Sequence, residues 1–440
     1  VIEKLLVATR GNPALRIVRT CREMGIKTVA VYSEVDRDSL PVLLADEAVC
    51  IGKPDPRDSY LNISRILSAA EITRCNAVHP GWDFLATNAE FADAAQSTGI
   101  IWIGPPPDLL RLLSSRLAVR NRIAAAGVPV VPGTEEPLKN PQEAIATCQL
   151  LGLPVVVRPV AEYLSRTRII SKEKDIETQI RMCQAEIRAD SESDMSGGIV
   201  SPEVYIEKLI PDARLIEIQV AIDQQHRTLF FDDREIVEHH GKKFIACAPS
   251  PGIKPSQRRQ LFTWAEKATR ALNWTGISTV SFLLDKNGRA YFYRFTPHLT
   301  VFHPVTEIRY GIDLIQNQLL IALDKISEPE QPSTVPAVAN ADFIITAQFF
   351  AENPDAEFEP SPGTVTGLCL PGGPNIRIDT DLIPGSQVTP HYDYALGTIS
   401  AWAPEKKNAL NRFQRALAET TITGIQTSIP FLSKLARNLL

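Results

Sequence analysis

The chain has 440 residues, with 46 Lys or Arg against 51 Asp or Glu and a formal net charge of −5. That balance excludes a general nucleic-acid binder, whose phosphate contacts need a basic surplus, and no apolar run approaches the ~20 residues of a membrane span. A chain of this length holds roughly two to four domains and can build its core without disulfides. Its seven cysteines are odd in number and form no C-x-x-C pair, so reduced thiols in a cytosol-like compartment are expected.

In chain order, the first hundred residues alternate strand and helix. Strands are expected at Leu5–Ala8, Thr28–Tyr32, Val49–Gly52, Ala77–His79 and Ile100–Gly104. Helices are expected at Pro13–Gly25, Ile63–Ile72 and Asn88–Gly99. Helices of this length between strands imply right-handed crossovers and a parallel, doubly wound sheet. The first turn, Arg10-Gly11-Asn12-Pro13, is not G-x-G-x-x-G, so a dinucleotide fingerprint is absent.

Asp108–Gly127 reads as a single amphipathic helix, and Pro129-Val130-Val131-Pro132-Gly133 as a domain boundary. A small α/β module follows: helix Pro141–Leu151, strand Pro154–Arg158, a polar turn Ala161–Arg166, strand Thr167–Ser171 and helix Lys174–Ala189. Ser191–Ser201 is a Ser/Gly-rich loop. From Val204 the pattern changes to antiparallel strands: Val204–Leu209, Leu215–Ile222, Thr228–Asp233, Thr279–Leu284 and Ala290–Phe295. Asp285-Lys286-Asn287-Gly288 supplies a hairpin turn. Helices Pro255–Leu272 and Gly311–Leu323 flank this sheet. Glu328–Asn340 is a Pro-rich linker. The last hundred residues read as short strands and turns, then a helix, Glu405–Thr420.

Certain segments match a known family. They include Ala8-Thr9-Arg10-Gly11, Leu43-Leu44-Ala45-Asp46-Glu47, His79-Pro80-Gly81, Tyr205-Ile206-Glu207-Lys208, Ile216-Glu217-Ile218-Gln219-Val220, His303-Pro304-Val305-Thr306-Glu307, Ser361-Pro362-Gly363 and Tyr392-Asp393. Through these collinear segments the chain resembles the biotin carboxylase subunit of biotin-dependent acyl-CoA carboxylases, an ATP-grasp family. The resemblance implies a mixed α/β and α+β fold. Its expected parts are a pre-ATP-grasp domain over 1–106, a helical linker over 107–133, a lid over 134–203, an ATP-grasp body over 204–328 and a β-rich C-terminal region over 329–440.

Chemistry in such a fold needs cations on the phosphates, a glycine loop closing over them, carboxylates for magnesium, and a base with an anion clamp for bicarbonate and biotin. By the resemblance, the two phosphate lysines fall on Arg116 and Arg158. Two arginines lining a cleft wall and paired with nearby acids is the plainer reading of both, because Arg and Lys are not interchangeable. The expected glycine loop reads Ala161-Glu162-Tyr163-Leu164-Ser165-Arg166-Thr167-Arg168, with no glycine. Cβ atoms there disfavour an N–H cradle, and Glu162 would meet phosphate with like charge. The magnesium positions become Ser281, Arg294 and Thr296. The enolate arginine becomes His298, the bicarbonate base becomes Phe302, a further arginine becomes Gln348, and a histidine becomes Leu215. Glu207, Lys208 and Lys243 persist as nucleotide-pocket remnants, and Arg16, Arg19 and Glu23 match the family's dimer face. Trp82 reads as packing, and His303 as a structural hydrogen-bonding residue.

The expectation is a catalytically silent member of the family, with no cofactor, acting as a structural or regulatory subunit of an acetyl- or acyl-CoA carboxylase assembly in fatty acid biosynthesis. Its partner would be a biotin carboxylase-type subunit, as homo- or heterodimer, or the biotin carboxyl carrier protein, with no nucleic acid and no membrane. The location would be cytoplasmic, or the plastid stroma after loss of a transit peptide. One alternative is an active biotin carboxylase using ATP and Mg. The other is an anion- or nucleotide-sensing protein built on Arg116, Arg158, Arg294 and His298.

Overall fold

Strand β1 (Lys4–Val7) shows how the first domain is built. Side chains alternate across a strand, so Leu5 and Val7 enter one buried cluster and Leu6 enters the cluster on the opposite face. Both faces must therefore be covered. The computed structural model describes residues 1–162, 167–193, 201–239, 241–325 and 341–438. In it β1, β2 (Lys27–Ser33), β3 (Glu47–Gly52), β4 (Ala77–His79) and β5 (Ile101–Trp102) form a sheet in the order β3-β2-β1-β4-β5. Every pairing is parallel. The helices are α1 (Gly11–Glu23), α2 (Leu40–Leu44), α3 (Ile63–Ile72) and α4 (Ala89–Ser97). Asn62 and Asn88 cap α3 and α4 by accepting from backbone N–H groups.

The expected single helix after this domain is two helices, α5 (Pro107–Leu113) and α6 (Arg116–Ala125). Local hydrogen bonding breaks it. The Ser115 hydroxyl accepts from Ala118 N and starts a new helix. The Arg116 N–H is drawn to Val160 O at 2.8 Å, and the Glu162 N–H to Ser114 O at 2.8 Å. The break thus ties the start of α6 to the next module.

That module contains α7 (Pro141–Leu151), β6 (Val155–Pro159), β7 (Arg168–Ile170), α8 (Ile176–Ser193) and β8 (Val204–Lys208). Its sheet order is β7-β6-β8. Strand β8, expected in the following sheet, instead pairs antiparallel with β6, Val157 opposite Ile206. The expected features at Tyr163–Arg166, most of the Ser/Gly-rich loop and the Pro-rich linker lie outside the described residues.

The body is an antiparallel sheet built first from β9 (Arg214–Ile222), β10 (Thr228–His239), β11 (Lys242–Ala248), β12 (Gly276–Leu284), β13 (Ala290–Thr296) and β14 (Phe343–Phe350). Helices α9 (Pro255–Ala271), α10 (His303–Tyr310) and α11 (Leu314–Ala322) flank it. The β12–β13 turn forms as expected. The Asp285 carboxylate accepts from the N–H groups of Asn287 and Arg289, and Gly288 supplies a φ of +80°.

The C-terminal region departs most from expectation. Ala395–Ala403 is a nine-residue strand that pairs with β14, and Ile376–Asp379 pairs with it in turn, so the sheet reaches eight strands. A last helix, Ile429–Arg437, packs with Lys406–Glu419 over Phe349, Ile399 and Phe413.

Ion pairs and one hydroxyl stitch the parts together. Arg16 on α1 meets Glu307 on α10 and Asp313, each at 3.0 Å. Arg377 meets the same Glu307 at 2.8 Å. The Tyr392 hydroxyl donates to Ser33 at 2.7 Å. Arg16, expected on a dimer face, pairs within the chain and stays partly exposed, and Arg19 and Glu23 are exposed. All seven cysteines are free. Among the described residues no helix is long and apolar enough to cross a membrane.

Candidate functional site

Four strands of the body bring four positions into one row. Arg234 stands opposite Glu217, Glu217 opposite Ser281, and Ser281 opposite Arg294. Facing residues of neighbouring antiparallel strands lie about 4.5–5.5 Å apart. The fold therefore does juxtapose the two positions, Ser281 and Arg294, that the resemblance reserves for magnesium ligands.

Charge along this row is paired. Glu217 and Arg234 are both fully buried and meet at 2.8 Å. Lys243 reaches Glu217 from its other side at 2.5 Å. Burial alone would raise the Glu217 pKa, but Lys243 and Arg234 outweigh it and hold the carboxyl at about 2. Arg234 also donates to Thr300 at 2.9 Å and to the Phe302 carbonyl at 3.3 Å. Lys243, expected as a nucleotide-pocket remnant, pairs with Glu217 here and keeps a partly exposed side chain.

At the far end of the row, Arg294 pairs with Glu162 at 2.7 Å. The second oxygen of Glu162 accepts from Arg116 Nε at 2.8 Å. One carboxylate therefore bridges two guanidiniums. A parallel arrangement lies beside it, where Glu207 meets Arg158 at 2.7 Å and Arg120 at 3.4 Å. The Arg158 guanidinium also lies over the Tyr293 ring, 5.2 Å from its centroid. Arg116 and Arg158 are thus both paired with acids. Lys208 donates to the Gly152 carbonyl at 2.7 Å. Arg158, Lys208, Leu283 and Tyr293 line a cleft of about 300 Å³.

The residues do not fit a magnesium ion. Mg²⁺ is a hard cation that takes carboxylate and water oxygens in near-octahedral geometry. Here it would meet the Ser281 hydroxyl, which is buried without a hydrogen-bond partner, and a guanidinium. Among the described residues no three His, Cys, Asp or Glu side chains gather as metal ligands.

The carboxylation positions are also altered. Phe302 and Leu215 lie buried in one apolar cluster with Ile236, Val305 and Ile344. His298 bonds through Nδ1 to the Leu299 carbonyl at 2.6 Å, and burial lowers its pKa. His303 is buried, with Nδ1 3.0 Å from the Thr300 carbonyl, a structural role as expected. Burial, reinforced by Arg377 and Arg16, takes its pKa down to about 3. Trp82 packs on its ring at 5.1 Å. His298 and Gln348 line a larger cavity of about 590 Å³ with Arg10, Asp83 and Asp393. Desolvation at the cavity wall and the nearby Asp393 raise the Asp83 pKa.

Sequence reasoning missed Arg120, Arg234 and the Glu162 bridge. Arg120 had a signal, its four-residue spacing from Arg116 on one helix. Arg234 had none, since only the register of β9 and β10 sets it against Glu217. The Glu162 bridge depends on the break between α5 and α6.

Comparison with known proteins matches three family models in sequence order. They are the biotin carboxylase N-terminal domain over residues 1–110, the carbamoyl-phosphate synthase L chain ATP-binding domain over 115–327, and the biotin carboxylase C-terminal domain over 347–439. The chain is 37% identical to a biotin carboxylase of Nostoc sp., over 99% of this chain and 95% of that one. Its structure is similar to a biotin carboxylase–beta-gamma-ATP complex from Campylobacter jejuni, with TM-score 0.93, 32% identity, and 100% and 96% of the two chains covered. It is also similar to the biotin carboxylase domain dimer of Hydrogenobacter thermophilus 2-oxoglutarate carboxylase with MgADP, ADP and bicarbonate, with TM-score 0.92, 32% identity, and 99% and 94% covered.

Proposed function

The chain belongs to the biotin carboxylase family, and we propose that it serves a biotin-dependent carboxylase assembly as a non-catalytic subunit. One observation carries this reading: at a position reserved for a magnesium carboxylate stands Arg294, already neutralised by Glu162. A guanidinium offers none of the oxygen ligands that Mg²⁺ takes. Further support comes from Phe302, which has no proton acceptor to serve as a base toward bicarbonate. In this reading the scaffold is retained for assembly, with a biotin carboxylase-type subunit or the biotin carboxyl carrier protein as partner. Acetyl-CoA carboxylation for fatty acid synthesis is the proposed setting, in the cytoplasm or the plastid stroma.

A second reading is an active ATP-dependent biotin carboxylase with an atypical site. Full-length likeness to named biotin carboxylases supports it, and the comparisons taken alone favour it over the first. Phosphate release from Mg-ATP, with and without bicarbonate and biotin, separates the two. The first reading expects no dependence on either substrate, together with co-elution of the protein and an authentic biotin carboxylase or carrier subunit on gel filtration. Substrate-dependent release supports the second.

A further inference from the structure

A cavity of about 400 Å³ lies between the first domain and the body, and none of the positions that the resemblance reserves for chemistry lines it. One wall is β5, the edge strand of the parallel sheet, and the other is the start of β12 with the end of α11. Small-molecule sites favour such junctions, at volumes of roughly 300–1,000 Å³. No Asp, Glu, Lys, Arg or His is among the lining residues. The two tryptophans in the walls satisfy their indole N–H groups inside the chain, Trp102 on the Pro105 carbonyl at 2.9 Å and Trp274 on the Gly276 carbonyl at 3.1 Å. Their rings therefore offer the cavity flat apolar surface.

Polar groups of fixed direction face the same space. Ile101 N–H donates to the Asn76 carbonyl at 2.9 Å and Ile103 N–H to the Val78 carbonyl at 3.0 Å. The ladder with β4 thus uses the residues on either side of Trp102, and the Trp102 N–H and C=O point to the free edge. That edge is the cavity side, since Trp102 lines the cavity and no residue of β4 does. A third group is set by the fully buried His79. Its Nδ1 accepts from the Gly81 N–H at 3.0 Å, so the proton sits on Nε2, which donates to Gln318 Oε1 at 3.3 Å. Burial takes the His79 pKa down to about 4, and the ring stays neutral. The Gln318 NH₂ is thereby left as a donor for the cavity.

We infer that this cavity is a binding site for an uncharged, flat molecule with an amide-type edge, an acceptor beside a donor. The ligand oxygen would accept from the Gln318 NH₂ and its N–H would donate to the Trp102 carbonyl. An ion would lose its hydration here with no counter-charge to replace it. The inference is independent of the non-catalytic reading and stands whether or not the chain carboxylates biotin.

The test is a ligand-observed NMR titration of the whole chain with benzamide, benzoate and benzamidinium, probes of one shape that are neutral, anionic and cationic. Benzamide is expected to bind saturably and about tenfold or more tighter than either ion. Gln318→Leu removes the NH₂ donor and is expected to weaken benzamide about fivefold or more. Ala322→Leu fills the cavity from the end of α11 and is expected to do the same. It serves alone should Gln318→Leu, which also loses the contact with His79, fail to fold. No saturable benzamide binding, an ion that binds as tightly, or an affinity unchanged in the folded variants overturns the inference. So does displacement of benzamide by Mg-ATP, which would place the probe in the cleft beside Lys208 instead.

Discussion

Phe302 and Leu215, which stand where the resemblance puts a glutamate and a histidine, occupy one buried apolar cluster. Two polar positions have thus become a packed hydrophobic contact region, and neither can be reversed alone. Phe302→Ala is expected to cost about 3–5 kcal/mol, the usual range for a buried Phe. Phe302→Glu is expected to cost more, because it buries a carboxylate in an apolar cluster without a partner. Urea unfolding of the two variants checks the order.

The buried Arg234–Glu217–Lys243 triad sets a second expectation. Arg234→Met leaves Glu217 with Lys243 alone and is expected to cost about 3–5 kcal/mol. Lys243→Met is expected to cost less, because Lys243 is partly exposed and the fully buried Arg234 remains. Equal losses in denaturant titrations would contradict the unequal roles assigned to the two cations.

His303 and Glu217 give the fold an acid-sensitive side. The His303 pKa falls from 6.5 to about 3, so its contribution is complete above pH 6.5 and is lost as pH falls toward 3. Glu217 falls from 4.5 to about 2, so its contribution is lost only as pH drops below 4.5. Asp83 acts with the opposite sign. Its raised pKa means the folded state gains stability relative to the unfolded state as pH falls. The informative readout is therefore the difference between wild type and His303→Gln. That variant should gain about 1 kcal/mol relative to wild type between pH 7 and pH 5.5. A difference that stays constant with pH would show that His303 is not held neutral.

Tyr392→Phe removes the hydroxyl that donates to Ser33 across the chain. The expected loss is about 1 kcal/mol, the typical net worth of such a bond. A thermal melt of the variant measures it.

The first domain was legible because parallel strands and crossover helices impose separate periods on the sequence. Ala77–His79 and Ile63–Ile72 form with the boundaries that pattern gives. The strands Phe343–Phe350 and Ala395–Ala403 were less legible, since both run largely buried and lack polar alternation. At the site, the substituted positions Ser281, Arg294 and Phe302 were found through the resemblance, and strand register then places Ser281 against Arg294. What sequence could not supply was the partner of each charge. Glu162 reaches Arg116 and Arg294 only because the chain breaks a helix at Ser115, and such breaks depend on tertiary hydrogen bonds. The intrachain partners of Arg16 were hidden for a related reason: Glu307 and Asp313 lie nearly three hundred residues away.

The most direct measurement is transfer of isotopically labelled bicarbonate to free biotin in the presence of the purified chain and Mg-ATP. With Arg294 paired to Glu162 and Phe302 buried, label on biotin should stay at the level of a protein-free control. ATP-dependent label well above that control would contradict the account and establish an active carboxylase.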